Sequence, residues 1–137
     1  MDTPTETNKQ KKKILIVDDD KFLLDMYSVK FEKNDFEVQT GLGGAEALAK
    51  LENGFIPDVV LFDIAMPSMD GPEFLGMVRE KAYAPQAIFI ALSNQNEQEQ
   101  MEKVKSLGAV EYLIKATMTP QELMEKVFQI EAEHRPA

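Results

Sequence analysis

Short apolar segments alternate along the chain with longer stretches in which apolar residues recur every three or four positions. Unbroken apolar runs are typical of strands buried on both faces of a sheet, and the longer spacing is typical of amphipathic helices. The pattern predicts strands at 13–17, 36–40, 59–62, 87–92 and 110–114. It predicts helices at 21–33, 45–51, 72–81, 97–107 and 120–133. The second strand alternates apolar and polar residues, as an edge strand does.

Capping and turn residues mark where these helices begin and end. Asp20 is placed to cap the first helix, and Pro72 stands at the first turn of the third. Residues 119–122 read Thr-Pro-Gln-Glu, which combines a capping box with proline at the first helical position. Gly54 and Gly108 are predicted to end the second and fourth helices. The glycine-rich stretch 41–44 is predicted to be a flexible join.

The first and fourth helices differ in their apolar surface. The core face predicted for the first helix consists of Leu23, Met26, Tyr27 and Phe31. Residues 94–100 include no apolar side chain, and the fourth helix offers the core only Met101, Val104 and Leu107. We therefore expect the fourth helix to be weakly anchored and able to shift.

Five strands alternating with five helices predict an α/β fold, with a parallel sheet covered on both faces and right-handed crossovers. A chain of 137 residues is long enough for one domain with a real core. We expect this domain to span 13–133, after a disordered leader at 1–12 and before a tail at 134–137. Because five strand-helix pairs use almost all of these residues, we expect no separate output domain within them.

Acidic residues follow two of the predicted strands. Asp63 comes directly after 59–62, and Asp18 and Asp19 come directly after the first strand. If the two strands are parallel neighbours, these carboxylates converge at one edge of the sheet, where open α/β sheets place their chemistry. Clustered carboxylates repel one another unless a cation neutralises them. Ligands that are all oxygen favour a hard ion such as Mg²⁺.

Composition excludes several other classes of site. The chain has no cysteine, so disulfides and thiolate chemistry are excluded, and its single histidine, His134, lies near the C-terminus. A formal net charge of −9 argues against nucleic-acid binding, and we interpret the lysine-rich run at 9–13 as a solvated arm. No apolar run approaches a membrane span, and the start lacks a signal-peptide pattern. We expect a cytoplasmic protein with protein partners.

Four strand-end sites, taken together, resemble those of a known family. They are the Asp18-Asp19 pair, Asp63 in an Asp-x-x-Met-Pro-x-Met-Asp-Gly loop, Ser93 after the fourth strand and Lys115 after the fifth. From about residue 13 to about residue 133, the chain resembles the receiver domain of two-component response regulators, and within that family the single-domain chemotaxis regulators. The resemblance implies the flavodoxin-like doubly wound fold with strand order 2-1-3-4-5.

The resemblance also implies a metal-dependent phosphoacceptor. Asp63 would accept a phosphoryl group from a sensor histidine kinase or a phosphotransfer protein. Asp19 would bind Mg²⁺ directly, Asp18 would help to hold the ion, often through water, and the backbone carbonyl of Ala65 would supply another oxygen. The ion would relieve carboxylate repulsion and neutralise charge on the transferring group.

Three further residues take roles from the same resemblance. Lys115 would pair with Asp63 before transfer and with the phosphate afterwards, and Ser93 would donate its hydroxyl to a phosphate oxygen. Tyr112 occupies the position of an aromatic switch; the alternative interpretation is a strand tyrosine half-buried against the fourth helix, and the two are compatible. In the family, phosphorylation remodels the surface of the fourth helix, fifth strand and fifth helix.

The chain departs from the family at three positions. Ala116 follows Lys115 where most members have a cis proline; since a cis bond to a non-proline residue costs about 3 kcal/mol, this bond is either trans with a rearranged loop or cis under strain. Asn94 stands where a small residue is common. Ala65 has no side chain that could orient an attacking water.

The leading hypothesis is a stand-alone receiver, monomeric or weakly dimeric, that is no enzyme beyond self-phosphorylation and slow self-dephosphorylation. The alternative is a phosphorylation-independent interaction module of the same fold, which the departures at Asn94 and Ala116 leave open. A true phosphohydrolase would need a second acid two residues after Asp63, where the chain has Ala65.

Overall fold

The computed structural model describes residues 11–94 and 96–135. Its five-stranded parallel sheet has the order β2-β1-β3-β4-β5, which confirms the predicted flavodoxin-like α/β fold. The strands are β1 (Lys12–Asp18), β2 (Phe36–Leu42), β3 (Val59–Asp63), β4 (Ile88–Ser93) and β5 (Ala109–Ile114). The helices are α1 (Lys21–Glu32), α2 (Gly44–Glu52), α3 (Gly71–Glu80), α4 (Gln98–Ser106) and α5 (Pro120–His134), and a 3₁₀ helix (Lys115–Thr117) follows β5.

The sheet has a buried apolar layer on each face. Side chains that alternate along β1 point into opposite layers, so that Leu15 and Val17 join one cluster and Ile14 and Ile16 the other. The first cluster contains the buried apolar side chains of α2, α3 and α4, and the second those of α1 and α5. Every residue of β3 is buried, as its unbroken apolar sequence predicts.

The predicted capping residues act as expected. The backbone N–H of Leu23 donates to the Asp20 carboxylate at 3.2 Å, and Thr119 and Glu122 form the predicted capping box. A second capping box, between Asp70 and Glu73, begins α3 at Gly71 and was missed in the sequence. These caps fix the starts of the helices that follow β1, β3 and β5.

The predicted core face of α1 was partly wrong. Leu24, Tyr27 and Phe31 are buried, Leu23 is partly buried against the same cluster, and Met26 is only partly buried. Leu23 and Leu24 are adjacent, and each lies at helical spacing from Tyr27 and Phe31. The hydrophobic pattern alone therefore does not decide which leucine faces the core. Packing against both the sheet and α5 selects the face that carries Leu24.

The predicted flexible join at 41–44 was also wrong. Gly41 and Leu42 belong to β2, where they pair with Val17 and Asp18 of β1, and Gly44 begins α2. A Cβ atom at Gly41 would lie 2.7 Å from the Cβ of Ala47, so glycine allows the helix to pack directly on the strand.

The remaining boundaries lie within one or two residues of the predicted ones. Lys12 belongs to β1 and His134 to α5, so the ordered elements extend one residue beyond 13–133 at each end. Most of the predicted leader and half of the predicted tail, residues 1–10 and 136–137, lie outside the described residues. Within the described ranges, every helix is too short or too polar to cross a bilayer.

Candidate functional site

Three carboxylates meet at the carboxyl edge of the sheet. Asp18 ends β1 and Asp63 ends β3, which is its neighbour in the sheet, and Asp19 follows Asp18. One oxygen from each of the three side chains lies within 4.8 Å of the others. Asp18 and Asp63 are 1% and 3% exposed, whereas Asp19 is exposed. The predicted convergence of the acids is therefore confirmed, with Asp19 on the solvent side.

Lys115 enters this cluster from the end of β5. Its Nζ lies 2.7 Å from Oδ2 of Asp18 and 3.4 Å from Oδ1 of Asp63. The peptide bond to Ala116 is trans, which decides between the two arrangements that the sequence left open. The 3₁₀ helix Lys115–Thr117 forms the rearranged loop, and the lysine side chain still reaches the acids from it.

The cluster holds its negative charges at an electrostatic cost. Burial, followed by the nearby charge of Asp18, raises the pKa of Asp63 from 3.8 to about 7. Burial likewise raises the pKa of Asp18, although Lys115 and the backbone N–H of Asp20, at 3.0 Å, both donate to its carboxylate. Burial alone would lower the pKa of Lys115, but its hydrogen bond to Asp18 and the charge of Asp63 raise it overall.

These features fit a hard divalent cation. Oδ1 of Asp63 is buried and receives no hydrogen bond from any residue that the structure describes; its contact with Nζ of Lys115, at 3.4 Å, is an ion pair. A buried carboxylate oxygen without a hydrogen bond raises the free energy of the folded protein unless a cation or a bound group compensates its charge. The candidate ligand atoms around it are carboxylate oxygens, which Mg²⁺ prefers over sulfur or nitrogen. Ala65, two residues after Asp63, is exposed on the same loop.

Ser93 and Tyr112 lie on the strands between Asp63 and Lys115. Asp63 pairs with Leu92 of β4, so Ser93 stands one residue beyond that pair and is 2% exposed. Tyr112 of β5 pairs with Ala91 and is partly buried. Its hydroxyl accepts the backbone N–H of Glu97, just before α4, at 3.4 Å.

The loop after β3 is fixed by contacts that the sequence reading missed. The backbone N–H of Gly71 donates to the carbonyl of Ile64 at 2.7 Å, and a Cβ atom at Gly71 would lie 2.8 Å from the carbonyl oxygen of Asp63. Glycine therefore lets the start of α3 pack against the end of β3. The Asp70…Glu73 spacing of a capping box was the available signal.

The sequence between residues 14 and 128 matches the family model described as the response regulator receiver domain. The chain belongs to this family. Receiver domains are the phosphoacceptor signalling domains of two-component systems; they bind Mg²⁺ in an acidic pocket and interact with histidine kinases and downstream effectors.

Solved structures of receiver domains share the fold over nearly their whole length. A CheY-like receiver domain protein of Methanospirillum hungatei is 33% identical with a TM-score of 0.82, and the match covers 91% of this chain and 97% of that one. Chemotaxis protein CheY4 of Vibrio cholerae is 30% identical with a TM-score of 0.80, over 88% of this chain and 98% of that one.

Curated relatives are longer than this receiver domain. A protein-glutamate methylesterase/protein-glutamine glutaminase of Syntrophomonas wolfei is 39% identical over 77% of this chain but only 30% of its own length. The regulatory protein PhoP of Bacillus subtilis, named for alkaline phosphatase synthesis, is 31% identical over 85% of this chain and 47% of its own length. The chain thus spans less than half of each.

Proposed function

We propose that Asp63 accepts a phosphoryl group from a histidine kinase or phosphotransfer protein, and that this Mg²⁺-dependent modification changes the binding of a protein partner. The observation that carries the proposal is the state of Asp63 Oδ1, a buried carboxylate oxygen with no hydrogen bond among the described residues, between two further acids and a lysine. An added phosphoryl group on Asp63 would lie beside Lys115 and beside the two acids that are proposed to hold the cation.

The chain's own residues supply the chemistry of transfer. An ionised oxygen of Asp63 forms the new bond to phosphorus, while the bond from phosphorus to the donor's leaving group breaks and that group keeps the electron pair. Lys115, whose Nζ lies 3.4 Å from Asp63, stabilises the charge on the phosphoryl oxygens, and Ser93 donates its hydroxyl to one of them.

The acidic cluster would hold the cation. Asp18, Asp19 and Asp63 would provide carboxylate oxygens, and Ala65 its backbone carbonyl. When bound, Mg²⁺ neutralises carboxylate repulsion and the negative charge of the transferring group. Binding also favours the ionised form of Asp63, whose pKa is about 7 without a cation.

Tyr112 and α4 would pass the modification to the partner-binding face formed by α4, β5 and α5. The Tyr112 hydroxyl contacts the backbone just before α4, and in α4, all of whose residues are described, Val104 alone is buried. Displacing a helix with so little buried apolar surface costs little free energy. Phosphate capture by Ser93 would therefore change this face by rearranging the segment that leads into α4.

We further propose that the receiver at 13–133 acts as a stand-alone signalling protein, monomeric or weakly dimeric, and catalyses no reaction on an external substrate. Ala65 carries no group that could orient a water towards the phosphoaspartate, which is consistent with slow self-dephosphorylation.

Incubation with Mg²⁺ and acetyl phosphate, followed by intact mass measurement, tests the proposal. A phosphoryl adduct that Asp63→Asn abolishes is the expected result. A folded protein that forms no adduct and binds no fluoroberyllate would instead be the phosphorylation-independent interaction module.

A further inference from the structure

Arg79, in the last turn of α3, reaches the turn that joins α4 to β5. Its Nε donates to the carbonyl oxygen of Leu107 at 2.8 Å, and its Nη2 donates to that of Gly108 at 3.4 Å. A helix leaves its last carbonyl groups without partners inside the helix. Leu107 is the C-cap of α4, so its carbonyl is one of these groups, and Gly108 lies one residue beyond it in the turn. The planar guanidinium can reach both carbonyls at once, and its charge suits the negative end of the helix dipole.

Two further contacts fix the position of Arg79 itself. Its guanidinium carbon lies 4.6 Å from the ring centroid of Phe89, a fully buried residue of β4. Gly108 has a φ of +106°, and a Cβ atom there would overlap Nη2 of Arg79. The backbone conformation therefore favours glycine here, and a Cβ atom would displace the end of the arginine side chain.

The turn held by Arg79 directly precedes an irregularity in the sheet. Phe89 pairs with Ala109, but the next residue of β4, Ile90, pairs with Glu111, so β5 carries one extra residue at this point. The register beyond this bulge decides which face each β5 side chain takes and where Lys115 leaves the sheet. Arg79 contacts both strands just before this bulge: the backbone that leads into β5, and Phe89 of β4.

The two ends of α4 are held differently. At the amino end, the side chain of the N-cap residue, Glu97, makes no capping hydrogen bond, and the hydroxyl of Tyr112 accepts the N–H of Glu97 at 3.4 Å. The buried Val104 and the carbonyls bound by Arg79 all lie in the carboxyl half. The buried apolar side chain of α4 and the contacts with Arg79 thus lie at its carboxyl end.

We infer that Arg79 is a positioning residue that makes the carboxyl end of α4 a fixed pivot. On this inference, which rests on the proposed switch, phosphorylation displaces the amino end of α4 while the α4–β5 turn stays in place. Arg79 thereby keeps the register of β5, and with it the position of Lys115, unchanged while the partner-binding face is remodelled.

Hydrogen exchange of the unmodified protein tests whether Arg79 holds the turn. Replacing Arg79 by Met should raise exchange of the amides at 104–112 about tenfold or more, because hydrogen bonds to charged donors are among the stronger ones. Arg79→Lys keeps the positive charge but loses the two donor nitrogens of the guanidinium plane, so its exchange rate should lie between those of wild type and Arg79→Met. Lys81→Met, an exposed change nearby, is the control. Wild-type exchange at 104–112 in Arg79→Met would overturn the inference, and if that variant does not fold, Arg79→Lys decides in the same way.

Spin-label distances test the pivot. The chain has no cysteine, so Ala49→Cys on α2 can be paired with Gln98→Cys or Ser106→Cys at the two ends of α4, all three positions being exposed. With Mg²⁺ and fluoroberyllate, the distance to position 98 should change and the distance to 106 should not. In Arg79→Met, both should change.

The possible outcomes separate the inference from the proposed function. Movement of both positions in the otherwise unchanged chain, or a fixed position 106 in Arg79→Met, would overturn the pivot. If neither position moves in the otherwise unchanged chain, the proposed switch is contradicted and the pivot with it, and hydrogen exchange still decides whether Arg79 holds the turn.

Discussion

Lys115 forms its short ion pair with Asp18: the Nζ to Oδ2 distance is 2.7 Å, against 3.4 Å from Nζ to the nearest oxygen of Asp63. Lys115 thus neutralises the charge of Asp18, a proposed ligand of the cation, more fully than that of Asp63, the proposed phosphoacceptor. This arrangement explains why Asp63 keeps a pKa of about 7 beside a lysine, since burial and the charge of Asp18 outweigh the attraction.

Replacing Asp63 by Asn should stabilise the metal-free protein at alkaline pH. The pKa of Asp63 is about 7 in the folded protein and ordinary in the unfolded chain, so between about pH 4 and pH 7 the folded state binds the extra proton. Stability therefore falls as pH rises through this window, by up to about 4 kcal/mol. Urea unfolding should show Asp63→Asn more stable than wild type at about pH 8, with a smaller difference at about pH 5.

Asp35→Asn is the matched control for this experiment. Asp35 is exposed and has a φ of +69°, a conformation that asparagine also tolerates. This variant should follow wild type at both pH values. A difference between Asp63→Asn and wild type that did not grow with pH would contradict the raised pKa.

Mg²⁺ should bind the wild-type protein and raise its Tm through mass action. Asp19→Asn should weaken binding roughly tenfold or more, because few charged ligands hold the ion. Asp20→Asn removes a charge from the same loop but keeps the helix cap, so it should bind Mg²⁺ nearly as wild type does. Calorimetric titration should also show affinity rising through about pH 7 as Asp63 loses its proton. Equal losses in the two variants would refute the three-acid site.

Lys115→Met should destabilise the metal-free protein by about 3 kcal/mol near pH 7, because it leaves buried carboxylates without their cation. The loss should shrink at about pH 5, where the acids can take up protons instead. Lys21→Met breaks an exposed ion pair with Asp25 and should cost less than about 1 kcal/mol. Urea unfolding of both variants makes the comparison, and similar costs would argue against a buried lysine.

Tyr112→Phe should loosen the entry into α4 while leaving the fold intact. The change removes the acceptor of the Glu97 N–H, so we expect faster exchange of that amide and a stability loss below about 1 kcal/mol. Tyr83→Phe removes a hydroxyl in the loop before β4 and serves as the control. Unchanged exchange at Glu97 would show that the long hydrogen bond does not hold the segment.

The sequence was most informative where one physical cause dominates. The all-apolar β3 predicted a central strand that ends in Asp63, and the parallel topology then required Asp18 and Asp63 to share an edge. The face of α1 could not be predicted in the same way, since Leu23 and Leu24 fit the helical period equally well. Glycine at 41 was read as flexible, although it serves a close contact with Ala47.

Long-range contacts to the backbone leave no trace in a local pattern. Arg79 binds carbonyl groups of Leu107 and Gly108, which any residue type would present, so nothing near Arg79 in the sequence indicates its partners. The choice of Asp18 as the closer partner of Lys115 also depends on distances of a few tenths of an ångström. Such details follow from the packed structure alone.

The most direct test of the central claim is the mass of the intact protein after incubation with acetyl phosphate, with and without Mg²⁺. We predict one added phosphoryl group on wild type that requires Mg²⁺, is lost in Asp63→Asn and is retained in the control Asp35→Asn. An adduct that persists in Asp63→Asn, or forms equally well without Mg²⁺, would contradict the assignment of Asp63 as the metal-dependent phosphoacceptor.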